Sequence, residues 1–162
     1  MTIHRGRHSA SVSDIDLKIK QTFEEKQQFM PLLLIGDESA DMIGRYLERG
    51  ILYVGYMGDE AVSVCVVTAE DNNTCEVKNL AVKPEWQKNG IGHKMLAYVE
   101  QQNIGKRIII GTGETPSTLR FYHSCGYVYS HRVKDFFIDN YPYPIIEEGV
   151  SLKDMIYLSK QL

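Results

Sequence analysis

The chain lacks a basic excess, a long apolar stretch and enough cysteines to staple itself. Lys and Arg total 18 against 21 Asp and Glu, a formal charge of −3. A protein that neutralises phosphates along a nucleic acid needs a cationic surplus, so no nucleic-acid partner is expected. The apolar run Leu32 to Ile35 falls far short of the roughly 20 residues a helix needs to cross a bilayer, so no membrane partner is expected either. Thr2 to Ser13 lacks the apolar stretch of a signal peptide, which points to a cytoplasmic protein. The three cysteines, Cys65, Cys75 and Cys125, cannot all pair within one chain, and none forms a Cys-x-x-Cys unit. They read as reduced thiols. The five histidines (His4, His8, His93, His123, His131) lack the spacing of a zinc site, so no metal is expected. Repeats, low-complexity segments and dividing linkers are also missing.

What is present suits one globular domain spanning 1–162. A chain of about 150 residues buries roughly 70% of its unfolded surface, enough for a core without staples. Thr2 to His8 reads as an edge strand or a frayed arm. Ser13 with Asp16 resembles a capping box, and Ile15, Ile19, Phe23 and Met30 follow at helical spacing up to Pro31. A second helix is expected from Asp37 to Gly50, with Met42, Ile43, Tyr46 and Leu47 on its apolar face. Ile51–Met57 and Ala61–Thr68 read as strands joined by a Gly58-Asp59 turn. Asp71-Asn72-Asn73 makes another turn, and a third strand covers Thr74–Val82. A helix from Gly90 to Gln102 follows, with Ile91, Met95, Tyr98 and Val99 on one face, then a strand over Lys106–Gly111. Pro116 to Cys125 reads as a helix stopped by Gly126, Tyr127–Ile138 as a strand and Leu152–Ser159 as the last one. The order implies an α/β or α+β domain built on one mixed sheet.

The chemistry concentrates between Glu76 and Gly92. There a strand ends at Val82, a loop follows, and a helix opens on Gly90-Ile91-Gly92. The first N–H groups of a helix have no intrahelical partner and carry the positive end of its dipole. Glycines let a ligand approach that backbone closely, and the product is a pyrophosphate cradle. A nucleotide P-loop would require Gly-Lys-Ser/Thr, which is absent. A dinucleotide fingerprint would require a third glycine where Met95 stands. A glycine-rich turn with no ligand is the bland alternative for this motif taken alone.

The flanking residues decide between these readings. Leu80-Ala81-Val82-x-Pro84-x-x-Gln87-x-x-Gly90-x-Gly92 resembles the acetyl-CoA-binding motif of the GCN5-related N-acetyltransferase (GNAT) superfamily. Downstream, Thr115-Pro-Ser-Thr118-Leu-Arg-Phe121-Tyr122, followed by Gly126-Tyr127, resembles that family's Asn-x-x-Ala-x-x-Phe/Leu-Tyr helix and its Gly-Phe. Thr115 and Thr118 depart from the usual Asn and Ala. The resemblance covers roughly Leu52 to Ile138 and implies a mostly antiparallel sheet of six or seven strands, splayed at the cofactor site and flanked by about four helices.

The same resemblance implies the site. Gln87, Lys88, Asn89, Gly90, Ile91, Gly92 and His93 would wrap the pyrophosphate of acetyl-CoA, mainly through backbone N–H groups. Leu80, Ala81 and Val82 would pair their backbone with the pantetheine arm as a surrogate strand. Thr115, Thr118 and Phe121 would line that arm. Glu76 would act as general base, through a water, and Tyr122 as general acid toward the departing thiolate. The N–H of Val82 would face the oxyanion. The bland readings are an ion pair between Glu76 and Lys78, and a plain core tyrosine at Tyr122. Cys125 lies near the site but reads as a small buried residue, with no histidine partner to activate it.

The implied activity is direct transfer of an acetyl group to a primary amine in a ternary complex, the acceptor being a small molecule or a peptide. The aromatic and acidic segment Asp135 to Glu148 is a candidate wall for a cationic amine, or a packed structural loop. Asp135-Phe-Phe with Asp154-Met155 further resembles a bacterial subgroup of small acetyltransferases. The rival function is a coenzyme-A-binding sensor without turnover. A homodimer is the assembly that base rates favour.

Overall fold

Alternation of charged and apolar side chains opens the described part of the chain. The computed structural model describes residues 16–162, so the readings of Thr2–His8 and of Ser13 as a cap lie outside the described residues. Leu17–Thr22 forms a strand, β1, not the expected helix. The i, i+4 spacing of Ile15 and Ile19 is even and therefore satisfies the strand period of two as well. Leu17 between them, with Lys18 and Lys20 alternating, decides for the strand. Phe23, placed on the helix's apolar face, is instead exposed.

Pro31 starts a helix where it was expected to end one. It occupies the first turn of α1 (Met30–Gly36), a position where its missing N–H costs nothing. The next helix, α2, is short (Ala40–Gly44), and its cap is Ser39, whose hydroxyl accepts from Met42 N at 3.2 Å. Asp37, the expected cap, instead accepts from the Ser39 N–H at 3.2 Å, just ahead of the helix. Turns then carry the chain to Gly50, with Lys26 closing them. The Lys26 ammonium is buried and donates to the carbonyls of Leu47, Glu48 and Gly50 at 3.1, 3.2 and 2.7 Å.

Beyond Gly50 most of the expected elements hold. The strands β2 (Ile51–Met57), β3 (Glu60–Ala69) and β4 (Thr74–Val82) form an antiparallel meander. Gly58 turns the first hairpin with a positive φ of 59°. Helix α3 (Ile91–Gln102) crosses over to β5 (Arg107–Gly113), which runs parallel to β4. Helix α4 (Pro116–Ser124) ends at Gly126, whose φ of 89° only glycine adopts without strain.

The strand expected over Tyr127–Ile138 is β6 (Val128–Val133), and it stops early. Asp135, with a φ of 56°, breaks it and opens a helix, α5 (Phe136–Asn140). The Asp154 carboxylate accepts from the Asp135 N–H at 2.8 Å, and Phe137 N donates to Lys153 O at 2.9 Å, so the break is anchored by the segment before the last strand. A small hairpin, β7 (Ile146–Glu147) and β8 (Val150–Ser151), turns through Glu148 and Gly149, both with positive φ. The final strand, β9, covers Met155–Gln161 rather than Leu152–Ser159. Leu152 is buried in a satellite cluster with Phe137 and Ile145.

Among the described residues the main sheet is mixed and seven-stranded, in the order β1-β2-β3-β4-β5-β9-β6, with only β4 and β5 parallel. Its two faces bury different clusters. One packs Ile91, Met95, Leu96 and Val99 of α3 with Tyr122 and Tyr127. The other packs Leu33, Ile43 and Leu47 against Leu52, Val54 and Val64.

Candidate active site

The site lies where β4 and β5 part. Their pairing runs from Thr74 opposite Arg107 to Val77 opposite Ile110 and stops there, although β4 continues to Val82 and β5 to Gly113. A bulge accompanies the parting. Asn79 pairs with Val66 and Val77 with Val67, so Lys78 has no partner on β3. The extra residue reverses which face each later side chain takes. Cys75, Val77, Leu80 and Val82 pack with the α3 cluster, whereas Asn79 and Ala81 turn to the opposite face.

The open edge presents backbone to the cleft. Lys83 N donates to Val62 O at 2.8 Å, which makes Ser63 and Val82 a non-hydrogen-bonded pair in the ladder. The N–H and C=O of Val82 therefore point away from β3, toward the gap, and by alternation so do those of Leu80. The Val82 carbonyl accepts from Gln87 Nε2 at 3.0 Å. Unpaired strand groups of this kind are costly unless water or a ligand meets them.

A cleft of about 500 Å³ opens beside this edge. Leu80, Val82, Gln87, Lys88, Gly90 and Ile91 line it. So do Gly92, His93, Thr118, Phe121 and Tyr122. Lys88 and Gly90 both have left-handed backbone, with φ of 64° and 78°, and turn the loop into α3. Gly90 is the N-cap of α3, and among the described residues no side chain caps the helix. Its first intrahelical bond runs from Lys94 N to Gly90 O at 3.1 Å. The N–H groups of Ile91, Gly92 and His93 are thus left for an anion, and the loop fits a pyrophosphate.

Three of the expected cofactor residues sit back from the cleft. Asn89 donates through its side chain to the carbonyls of Trp86 and Gln87, both at 3.2 Å, and so shapes the loop. Thr115 is buried, and its hydroxyl is bonded to that of Thr118 at 2.9 Å. Ala81 faces the other side of the sheet. Trp86 and Ser117 also line the cleft and were not among the expected residues.

Leu80, Thr118 and Tyr122 belong to a second cavity too, of about 310 Å³, on the far side of the parting. Tyr122 is buried against Cys65 and Cys125, and burial holds its phenol well above its ordinary pKa. Asp37, Glu38, Lys78, Asn79, Tyr141 and Glu147 contribute the polar wall of this cavity. The Asp37 carboxylate accepts from Tyr141 Oη at 2.9 Å and from Tyr46 Oη at 3.3 Å. Both phenols are raised, by burial first and then by that carboxylate.

Glu76 is buried and lies apart from Tyr122. It lines a third chamber, of about 270 Å³, which shares Asp37, Lys78 and Tyr141 with the second cavity. Its carboxylate is ion-paired with Lys78. Burial lowers the Lys78 ammonium pKa, and nearby Glu70 opposes that shift.

Cys125 requires a correction. It is half-buried, and a histidine does stand against it, with His93 Nδ1 3.2 Å from Sγ. The thiol is nevertheless raised, by burial foremost, so it is not an activated nucleophile. His93 also packs its ring on Phe121, at 4.7 Å between centroids. The sequence separation of 32 residues concealed the pair.

With this geometry in place, comparison with known proteins defines the class. The family model for the acetyltransferase (GNAT) domain matches residues 48–129. The chain is 35% identical to the uncharacterized N-acetyltransferase YvbK of Bacillus subtilis (strain 168), over 88% of this chain and 94% of that one. The chain therefore belongs to the GNAT acetyltransferase family. A GNAT family acetyltransferase from Elizabethkingia anophelis, solved with acetyl-CoA bound, superposes with a TM-score of 0.85 at 34% identity, over 91% of this chain and 99% of that one. A Bacillus subtilis acetyltransferase in complex with CoA does so with a TM-score of 0.81 at 33% identity, over 91% and 99%. Among the described residues no helix is long and apolar enough to cross a membrane.

Proposed function

We propose that the protein is an acyltransferase that moves the acetyl group of acetyl-CoA to a primary amine by direct attack, both substrates being bound together. One observation carries this reading. The cleft that suits the cofactor and the cavity behind it meet at Leu80, Thr118 and Tyr122, where the sheet parts. A thioester threaded through the first would present its carbonyl to an amine held in the second. The acetyl-CoA and CoA complexes of the two relatives support the cofactor assignment.

Each residue then has a defined task. The N–H groups that begin α3 hold the pyrophosphate, and Leu80 and Val82 hydrogen-bond the pantetheine amides. The Val82 N–H faces the carbonyl oxygen as charge develops there. An alkylamine has a pKa of about 10.4 and arrives protonated, so the protein must remove a proton before attack. Glu76 takes that proton through water from its own chamber, which adjoins the acceptor cavity at Asp37, Lys78 and Tyr141. Tyr122 donates a hydrogen bond to the departing sulfur. Complete proton transfer from an ordinary phenol to a thiolate is uphill by about 2 kcal/mol, and burial of Tyr122 makes it steeper. A hydrogen bond, not a full transfer, is therefore the role assigned to it.

A thiol-release assay with acetyl-CoA against a panel of amines tests the proposal. Tyr122→Phe should lower kcat about a hundredfold and leave coenzyme A affinity within about threefold, since one neutral hydrogen bond to the cofactor is worth little more. If no amine releases thiol while coenzyme A still binds, the protein is a coenzyme-A sensor instead.

A further inference from the structure

The acceptor cavity has a strongly one-sided polar wall. Asp37 and Glu38 follow α1, and Glu147 comes from the β7–β8 hairpin more than a hundred residues later. Among the described residues Lys78 is the one cationic side chain lining it, and its ammonium is already ion-paired with Glu76 and lies 4.0 Å from Glu70. The carboxylates are close enough to act on one another. Glu147 keeps an exposed surface, but its carboxyl is raised, first by partial desolvation and then by Glu38 and Glu148, and Tyr141 feels both Asp37 and Glu38. The hairpin that carries Glu147 is tied to the cofactor side, because Ser117 of α4 donates to Glu148. Negative charge is thus held over the acceptor cavity by a contact made at the cofactor cleft.

A second observation, independent of the carboxylates, also calls for a donor. Asn79 lines the same cavity and is 3% exposed. Its Nδ2 donates to Leu33 O at 2.9 Å and to Tyr46 Oη at 3.1 Å, which fixes the orientation of the amide. Among the described residues its Oδ1 has no hydrogen-bond partner; it is buried beside Gly36, where a Cβ would collide with it. A buried acceptor oxygen of this kind is a liability unless an N–H donor meets it.

Resting on the acetyl-transfer reading of this site, we infer that the acceptor is an alkyl diamine or longer linear polyamine. Its reacting nitrogen lies at the Leu80–Tyr122 junction, and a second, protonated nitrogen lies against Glu38 and Glu147. The aromatic walls of the cavity, Phe137 and Tyr141, cover the methylenes between the two nitrogens. Glu38 and Glu147 stay exposed at the rim, so they select for the second charge without touching the reacting atoms.

Calorimetry on the full chain saturated with coenzyme A tests this without relying on turnover. The probes are 1,5-diaminopentane, spermidine and n-pentylamine at low salt. The two polycations should bind about fivefold more tightly than the monoamine, the effect of two rim ion pairs. That preference should vanish in the Glu38→Gln/Glu147→Gln variant, with coenzyme A affinity intact, and shrink at high salt. Equal affinities for diamine and monoamine, no binding of either, or an undiminished preference in the double variant would each overturn the inference. Polycation binding that follows this pattern without any thiol release would instead overturn acetyl transfer and leave this binding assignment standing.

Discussion

The cofactor cleft and the acceptor cavity adjoin, yet they are built in opposite ways. The cleft is made of backbone from one nearly contiguous stretch, Leu80 to His93, with one face of α4 closing it. The acceptor cavity is made of side chains from both ends of the chain, with Asp37 and Glu38 meeting Tyr141 and Glu147 across the parted sheet. Backbone recognition needs only a helix start, two left-handed residues and an open strand edge, and tolerates wide change in side chains. Side-chain recognition depends on every contributing element holding its place. The first half should therefore be common to the family and the second particular to this protein.

The sharpest way to break this comparison is to substitute one residue in each half. Glu76→Gln keeps the shape of the side chain and removes its basicity. It should lower kcat at least a hundredfold, a usual contribution of a general base, and leave coenzyme A affinity unchanged. If Glu76 only pairs with Lys78, the same variant should lower the melting temperature and leave kcat near that of the parent. Gly90→Val attacks the other half. A β-branched residue at a φ of 78° is strained and would pull the α3 N–H groups off the pyrophosphate. Coenzyme A affinity should fall about fiftyfold, the loss of one to two charge-assisted hydrogen bonds, as read by calorimetry. A change under about threefold would place the phosphates elsewhere, since such bonds are worth more than that.

The same contrast explains how much was legible in the sequence. The strand from Thr74 to Val82, the turn into α3 and the helix from Pro116 are local patterns, and their residues sit as their spacing implied. The parting of the sheet was likewise implied by the motif on β4, since a strand that pairs with a cofactor must leave its neighbour. The acceptor side was mostly illegible. Asp37 looked like a helix cap because Asx residues before an apolar run usually are caps. It does accept from the Ser39 N–H at 3.2 Å, but Ser39 caps the helix, and the other partners of Asp37, Tyr46 and Tyr141, lie 9 and 104 residues away. Tyr127–Ile138 looked like one long strand because nothing local reveals that Asp154 catches the Asp135 N–H. The even spacing of Ile15 and Ile19 fitted helix and strand equally, and the alternation of Leu17, Lys18 and Lys20 with the pairing to β2 chose between them.

Lys26 sharpens the comparison from the stability side. Its buried ammonium ties down the turns before Gly50, which carry Tyr46 and, through it, Asp37. Lys26→Met matches the stem but leaves three carbonyls without their cation. Unfolding in denaturant should show a loss of about 2 kcal/mol, the scale of hydrogen bonds to a buried charge. The amine KM should rise, whereas the KM for acetyl-CoA should not. Equal rises in both would mean that the two halves are not built independently.

The smallest expected effect concerns the joint that holds the α5 segment to the sheet. Arg132 donates to Glu114 at 2.9 and 3.0 Å and to Asp154 at 2.7 Å, and Asp154 also accepts from the Asp135 backbone. These bonds hold both carboxyls below the usual range, Glu114 mainly through Arg132 and Asp154 first through the Asp135 N–H and then through Arg132. A depressed carboxyl contributes stability above its unfolded pKa, near 4, and loses that contribution as pH falls through the lower folded value. Arg132→Met should therefore melt about 1–2 °C below the parent at pH 7, since the network is exposed and screened. The gap should start to shrink as pH falls below about 4 and close once it passes the lower folded values, where the carboxyls are protonated in the parent as well. Because the joint positions Phe137 and Tyr141 but nothing on α3, the variant should weaken amine binding slightly and leave coenzyme A binding alone. A gap that persists at low pH would assign the role of Arg132 to the packing of its stem, not to its charge.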